Sequence, residues 1–213
     1  MTLSVLVMAG GKATRMGGNV EKPLLKVAGK SMLQRVVEVI RQSSVADRIV
    51  VAATDDTPAS ALEAQRLGAE PVITPGDGFE EDMRFAIKAL SLEDVLVVSA
   101  DLPFITAELV EKAVEEYYRS GKPTLAVMTR REAYEKLGSK PQYVFKIDGI
   151  DLVAVGINII DGRRIGEREL DQAVLIIESG DAVLNVNTPQ ELEHARKEPR
   201  RQRRRTREWN VDA

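Results

Sequence analysis

Apolar residues along this chain fall into two alternating patterns. Short runs of strand length occupy residues 3–8, 48–53, 70–73, 95–99, 124–128, 143–147, 152–160 and 173–177. Between most of the early runs the spacing becomes helical. Residues 31–42 carry Met32, Leu33, Val36, Val37, Val39 and Ile40, which predicts a helix with one broad buried face. Residues 59–67, 80–90 and 107–120 read the same way, and Thr106 stands where an N-cap belongs. Alternating strands and helices predict an α/β protein, a Rossmann-like three-layer α/β/α sandwich around a mixed but mostly parallel sheet. After about Gly121 the strands come closer together with fewer helices between them, which predicts a different second half containing an antiparallel strand. In such sheets ligands bind at the carboxyl ends of the strands, where the turn at Gly10 and Asp101 both fall.

The chain has 213 residues, enough for one domain with a sizeable core, and 44% of them are hydrophobic. No apolar run reaches the roughly 18 residues that a membrane helix needs. The first residues lead straight into a strand pattern with no basic stretch before it, so no secretory signal is expected. Cysteine is absent, which excludes disulfides, thiolate metal sites and cysteine nucleophiles, and suits a cytoplasmic protein. The net charge of −3 hides an asymmetry: residues 196–213 hold eight Lys or Arg against three acids, so +5, leaving −8 on residues 1–195. The chain therefore divides into a single domain over 1–195 and a basic C-terminal tail over 196–213 that is expected to be disordered. The tail is either a solvated end or an electrostatic contact for a polyanion. With Trp209 as its one aromatic, base stacking on nucleic acid has little support.

The first strand opens into Ala9-Gly10-Gly11-Lys12-Ala13-Thr14-Arg15-Met16-Gly17-Gly18, followed by Glu21-Lys22-Pro23-Leu24. A glycine-rich turn leaving a buried strand can aim several backbone N–H groups at one anion, because no Cβ blocks the approach. Arg15 and Lys22 add fixed positive charge. The segment is either a cradle for a nucleoside triphosphate or an ordinary strand connection with solvated cations. Two other phosphate motifs are missing. Gly29-Lys30-Ser31 resembles the end of a Walker A loop, but leucine stands at 24 where a glycine is required, and no Gly-x-Gly-x-x-Gly follows the first strand.

The loop and its Lys-Pro-Leu continuation resemble the signature of the nucleotidyltransferase superfamily that includes sugar-1-phosphate nucleotidyltransferases and molybdenum cofactor guanylyltransferases. Further matching segments are Gly76-Asp77-Gly78-Phe79-Glu80-Glu81-Asp82, Val97-Val98-Ser99-Ala100-Asp101-Leu102, Val155-Gly156-Ile157-Asn158 and Leu184-Asn185-Val186-Asn187-Thr188. They follow family order over about residues 3–195, and together they are most similar to the archaeal-type GTP:adenosylcobinamide-phosphate guanylyltransferases. The resemblance implies a nucleotide-diphospho-sugar transferase-like fold. It also implies transfer of GMP from GTP to adenosylcobinamide phosphate, with release of pyrophosphate. A phosphate nucleophile is already ionised at neutral pH, so such chemistry asks for positioning and charge stabilisation rather than a strong base.

Site roles follow from the same resemblance. Arg15 would bind the β- and γ-phosphates and Lys22 the α-phosphate, with Ala9, Gly10, Gly11 and Lys12 lining the nucleotide. Asp101 would hold Mg²⁺; otherwise it is an aspartate opening a turn before Leu102-Pro103. Where relatives often place a second, acidic ligand, this chain has Asn185 and Asn187, so Asn187 is a weaker candidate. Thr188-Pro189-Gln190-Glu191 reads as a capping box instead. Gly78, Glu80 and Asp82 fall in the loop implied to meet the base, where a carboxylate could accept both guanine edge donors; equally, Glu80 and Asp82 could serve the dipole of a helix first turn. Gly156 and Asn158, read as part of a turn, would contact ribose or acceptor. His194, the single histidine, is read as structural or solvent-exposed. Transfer to the molybdenum cofactor, transfer to a sugar phosphate, and a non-enzymatic nucleotide-binding module whose tail contacts RNA are the alternatives. The oligomeric state, monomer or homodimer, is left open.

Overall fold

A computed structural model of the chain describes residues 3–11, 20–136, 141, 143–178 and 184–197. The basic tail from 198 onward, and Lys12 and Arg15 of the glycine-rich loop, lie outside the described residues.

The apolar runs gather into one sheet. β1 (Leu3–Met8) pairs in parallel with β4 (Arg48–Thr54) and β6 (Asp94–Ser99), and β4 pairs in parallel with β5 (Glu70–Thr74). β9 (Ile150–Asp161) runs antiparallel between β6 and β7 (Thr124–Arg130), and β10 (Gln172–Ile177) adds in parallel to the far edge of β7. β8 (Phe145–Ile147) forms a hairpin with β9. Helices cover both faces. Leu33, Val36, Val37 and Ile40 of α1 (Met32–Ser43), Ala64 of α2 (Pro58–Arg66) and Leu109, Val110 and Ala113 of α4 (Ala107–Ser120) bury one face. Met83, Ala86 and Ile87 of α3 (Phe79–Ala89) bury the other. The result is the expected three-layer α/β/α sandwich with a mixed, mostly parallel sheet. Thr106 caps α4, its side chain accepting the Leu109 N–H at 3.3 Å.

Three details depart from the sequence reading. The strand read over 152–160 is there as β9, and residues 155–158, also read as a turn, are its middle, where Gly156 takes φ 81° and the register with β7 shifts between Ala126 and Met128. A bulge absorbs the positive φ that a turn would otherwise explain. The strand expected over 143–147 starts only at Phe145, and the two-residue strands β2 (Lys26–Val27) and β3 (Lys30–Ser31) and the five-residue α5 (Arg131–Glu135) are too short to leave a periodic signal. Finally, a helix over 189–197, α6, takes in Arg196 and Lys197, which the charge pattern places in the tail. Its Leu192 and Ala195 pack with Leu184, Val186, Phe104, Val27 and Met32, and the Arg196 side chain donates to the Lys26 carbonyl at 3.2 Å. No helix among the described residues is long and apolar enough to cross a membrane.

The turn after β9 is packed without spare room. A Cβ on Gly162 would lie 2.2 Å from the Leu92 carbonyl oxygen and 2.8 Å from that of Glu93. Gly162→Ala is expected to destabilise the fold by about 1–3 kcal/mol in urea titration. Gly166→Ala, with nothing within 4 Å of an added Cβ, is expected to stay within about 0.5 kcal/mol of the parent.

Candidate active site

The site lies at the carboxyl ends of β1, β5 and β6. Ala9 and Ala100 continue the strand ladder past β1 and β6, donating to Ala52 O at 2.8 Å and Met8 O at 3.1 Å. The chain then turns over the end of β4 at Gly10. A Cβ there would lie 2.7 Å from Thr54 Cγ2, so glycine is what lets this loop settle on Thr54. The loop after β5 rests on the same methyl: Gly76 takes φ 82°, with its Cβ position 3.5 Å from Thr54 Cγ2. A cavity of about 390 Å³ opens between the two loops, and Ala9, Gly10, Gly11, Lys22, Gly78, Asp82 and Asp101 line it.

Asp82 is buried, and its Oδ1 accepts the Gly76 N–H at 2.8 Å. One carboxylate oxygen is thus engaged in shaping the loop at the cavity mouth. Glu80, two residues earlier on α3, is exposed and lines a different cavity. The structure therefore separates the two acids that the sequence groups together.

Lys22 sits on a single 3₁₀ turn, Lys22–Leu24, with Pro23 buried beneath it. Its Nζ donates to Asp101 Oδ2 at 2.5 Å and to Asn187 Oδ1 at 3.0 Å. The other Asp101 oxygen accepts from Ser99 Oγ at 2.7 Å and from Asn185 Nδ2 at 3.1 Å. Backbone pairing explains how residues 84 positions apart meet: the Val186 N–H donates to the Asp101 carbonyl at 3.0 Å. In an extended segment, alternate side chains share a face. Leu184 and Val186 therefore go to the core while Asn185 and Asn187 face Asp101. The capping box holds the end of this segment: Glu191 Oε2 accepts the N–H groups of Asn187 at 2.7 Å and Thr188 at 2.9 Å, and Thr188 Oγ1 accepts the Glu191 N–H at 3.2 Å.

A second cavity, of about 840 Å³, shares Ser99 and Phe79 with the first. Gly156, Asn158, Asn185, Asn187, Glu80 and His194 line it, and Tyr134, Tyr143, Phe145 and Val153 give it apolar walls. Burial, with Glu191 and Asp101 nearby, pushes the Tyr134 phenol up to about 12, so its hydroxyl stays a neutral donor at physiological pH. His194, read from sequence as structural or exposed, is half-buried on the rim of this cavity. Sequence reasoning missed Ser99, Phe79, Tyr134, Tyr143 and Phe145. Ser99 had a signal, since it ends the strand two residues before Asp101, and Phe79 stands in the Gly76–Asp82 segment at the start of α3; Tyr134, Tyr143 and Phe145 had none, since they lie on a five-residue helix, a loop and a hairpin.

Two clefts that meet beside one lysine–aspartate pair suit group transfer between two bound ligands. Residues 5–151 match the family model of the MobA-like NTP transferase domain. The adenosylcobinamide-phosphate guanylyltransferase of Methanocaldococcus jannaschii is 31% identical over 203 residues, covering 91% of this chain and 95% of that one. A probable molybdenum cofactor guanylyltransferase of Thermococcus gammatolerans is 28% identical over 87% of this chain and 95% of its own. Among solved structures, a CMP:2-keto-3-deoxy-manno-octonic acid synthetase complexed with CTP superposes with a TM-score of 0.77 at 17% identity, covering 95% of this chain and all (100%) of that one. At that identity the likeness shows the fold.

Gly156 offers a direct check of the packing at the junction. A Cβ there would lie 3.1 Å from Ser99 Cβ and 3.3 Å from Asn185 Nδ2, at a φ that L residues rarely adopt. Gly156→Ala is expected to cost roughly 1–2 kcal/mol from the left-handed backbone alone. Thermal melting should show that loss, and turnover should fall in the fraction that remains folded, because both donors to Asp101 must shift.

Proposed function

The chain belongs to the MobA-like NTP transferase family and is a nucleotidyltransferase, and we propose that it transfers GMP from GTP to adenosylcobinamide phosphate. Pyrophosphate leaves, and adenosylcobinamide-GDP is the product. The observation that carries this reading is the Lys22 ammonium, which lines the smaller cavity and donates to Asn187 in the wall of the larger, in a chain that shares 31% identity with a guanylyltransferase of that specificity over nearly its whole length. A single domain, running from β1 through α6, performs the reaction.

GTP occupies the smaller cavity, with its phosphates over Gly10 and Gly11 and its base against Gly78 and Asp82. Arg15 attends the β- and γ-phosphates, and Lys12 lines the nucleotide. The acceptor phosphate enters from the larger cavity past Gly156 and Asn158, and its bulk rests on Tyr134, Tyr143 and Phe145. A large acceptor with broad apolar faces suits walls of this kind. The acceptor oxygen attacks the α-phosphorus as the bond to the pyrophosphate oxygen breaks. Lys22 holds the α-phosphate and offsets the charge that builds there. The molybdenum cofactor is the weaker acceptor candidate, because the usual Asp-Lys after Met-Gly is here Glu21-Lys22-Pro23-Leu24.

The donor set at Asp101 fits Mg²⁺. Among the described residues no three or more His, Cys, Asp or Glu side chains are grouped so as to hold a metal ion by themselves, and Mg²⁺ is usually held by one or two protein oxygens together with substrate phosphates. Asp101 and Asn187 supply two oxygens, and Asn185 Oδ1 beside them is buried with no hydrogen-bond partner among the described residues. Bound there, the ion would neutralise phosphate charge and orient the leaving group.

Purified protein given Mg²⁺ and GTP is expected to release pyrophosphate with adenosylcobinamide phosphate, and not with molybdenum cofactor or sugar 1-phosphates. Release with another acceptor would keep the transferase and replace the substrate. Lys22→Ala is expected to lower the transfer rate by about 10²-fold or more, the scale of one preorganised charge contact; a rate close to that of the parent would take Lys22 out of the mechanism. The ammonium and a metal ion would compete for the same two oxygens. Nucleotide-free Lys22→Ala should therefore bind Mn²⁺ more tightly than the parent in electron paramagnetic resonance titrations, and Asp101→Asn should lose that binding.

A further inference from the structure

Glu21 immediately precedes Lys22, and its carboxylate leaves the site. Oε1 accepts the Ala59 N–H at 2.8 Å, while Oε2 accepts both the N–H and the hydroxyl of Ser60 at 2.6 Å. These groups open α2, whose first turn carries no acid and no side-chain cap of its own. Thr57, in the cap position, instead accepts the Thr54 N–H on its Oγ1 at 2.9 Å, and Pro58 has no N–H to satisfy. The orphan donors of this helix are thus met by a carboxylate 38 residues away. Its charge also suits the positive end of the helix. Ser60 is fully buried, so the Oε2 end of the anchor is partly withdrawn from water, while the bond to Ala59 is exposed.

The anchor bears on Lys22 through a short, stiff path. The Leu24 N–H donates to the Glu21 carbonyl at 2.9 Å and the Leu25 N–H to the Lys22 carbonyl at 3.1 Å. Pro23 is buried and fixes its own φ. The Lys22 backbone is therefore pinned by α2 on one side and by its own turn on the other, and its side chain reaches across to Asp101. We infer that Glu21 is a positioning residue for Lys22, using the N-terminus of α2 as the fixed point from which the ammonium is aimed. The inference rests on the reading of Lys22 given above.

The test is a double-mutant cycle on the full chain. Glu21→Gln keeps size but places an amide where three donors converge. It is expected to lower kcat by up to about 10²-fold, the scale of an ångström-sized misplacement, with little change in the KM for GTP. In a Lys22→Ala background the same substitution is expected to change kcat by less than about twofold, since effects of residues acting as a unit do not multiply. Ser60→Ala, which removes one of the three bonds, should give a smaller loss of the same kind in a chain whose melting temperature confirms folding. If Glu21→Gln keeps kcat within about twofold of the parent, or if its full effect persists in the Lys22→Ala background, the positioning role is overturned. Parent-like turnover of Lys22→Ala alone would instead remove the reading of Lys22, and the inference with it.

Discussion

One ion pair organises this molecule. Lys22 and Asp101 meet with side chains only 16% and 7% exposed, and a charge so placed is costly unless it is matched. The surrounding structure supplies the match. Ser99 and Asn185 donate to the free oxygen of Asp101, Asn187 accepts from Lys22, and the Val186–Asp101 backbone bond brings both asparagines into range. The end of β6, the 3₁₀ turn after the glycine-rich loop and the segment entering α6 are therefore held to one another through polar groups. The apolar cluster of Val27, Met32, Phe104, Leu184 and Val186 closes over them from behind.

The reversed strand gives the site its second half. Because β9 runs against β6, with Val98 opposite Ile157, its middle rather than its end arrives beside Ser99. The first half of β9 then continues past the end of β6, flanked by β7 as far as Arg130↔Leu152 on one side and by β8 from Phe145↔Leu152 to Ile147↔Ile150 on the other. That overhang carries Val153 and Phe145 into the wall of the larger cavity. A single antiparallel insertion creates two clefts that share a rim, which is what transfer between two bound molecules requires.

Most of the scaffold was legible in the sequence, because hydrophobic periods report burial directly. The runs that became β1, β4, β6 and β10, and the helical stretch of α4, fall at or within a residue or two of their observed limits. The capping box at Thr188 was also legible, since its partners are three residues apart. Gly156 was misread because positive φ is commoner in turns than in a strand bulge, and only the pairing of β9 with two neighbours distinguishes the two. Glu80 and Asp82 looked equivalent, yet lie on different sides of α3, so one is bound to Gly76 and the other faces the second cavity. Glu21 gave no signal beyond its motif, because the donors it meets are 38 residues away on a helix that reads as ordinary.

The charge balance of the smaller cavity places a condition on its ligand. Among the described residues lining it, Lys22 is the one cation, against Asp77, Asp82 and Asp101. Lys22 is moreover already matched by Asp101. A triphosphate entering such a cleft would meet net repulsion from the protein, and the body of the chain, at −8 over residues 1–195, offers no long-range relief. Backbone N–H groups at Gly10 and Gly11 contribute only partial charges. Compensation must come from the cations of residues 12–19, from a divalent ion accompanying the phosphates, or from both. Asp101 and Asn187 engage two of the three donors of the Lys22 ammonium, so on the reading proposed above the third would be left for a phosphate oxygen while the pair stays intact.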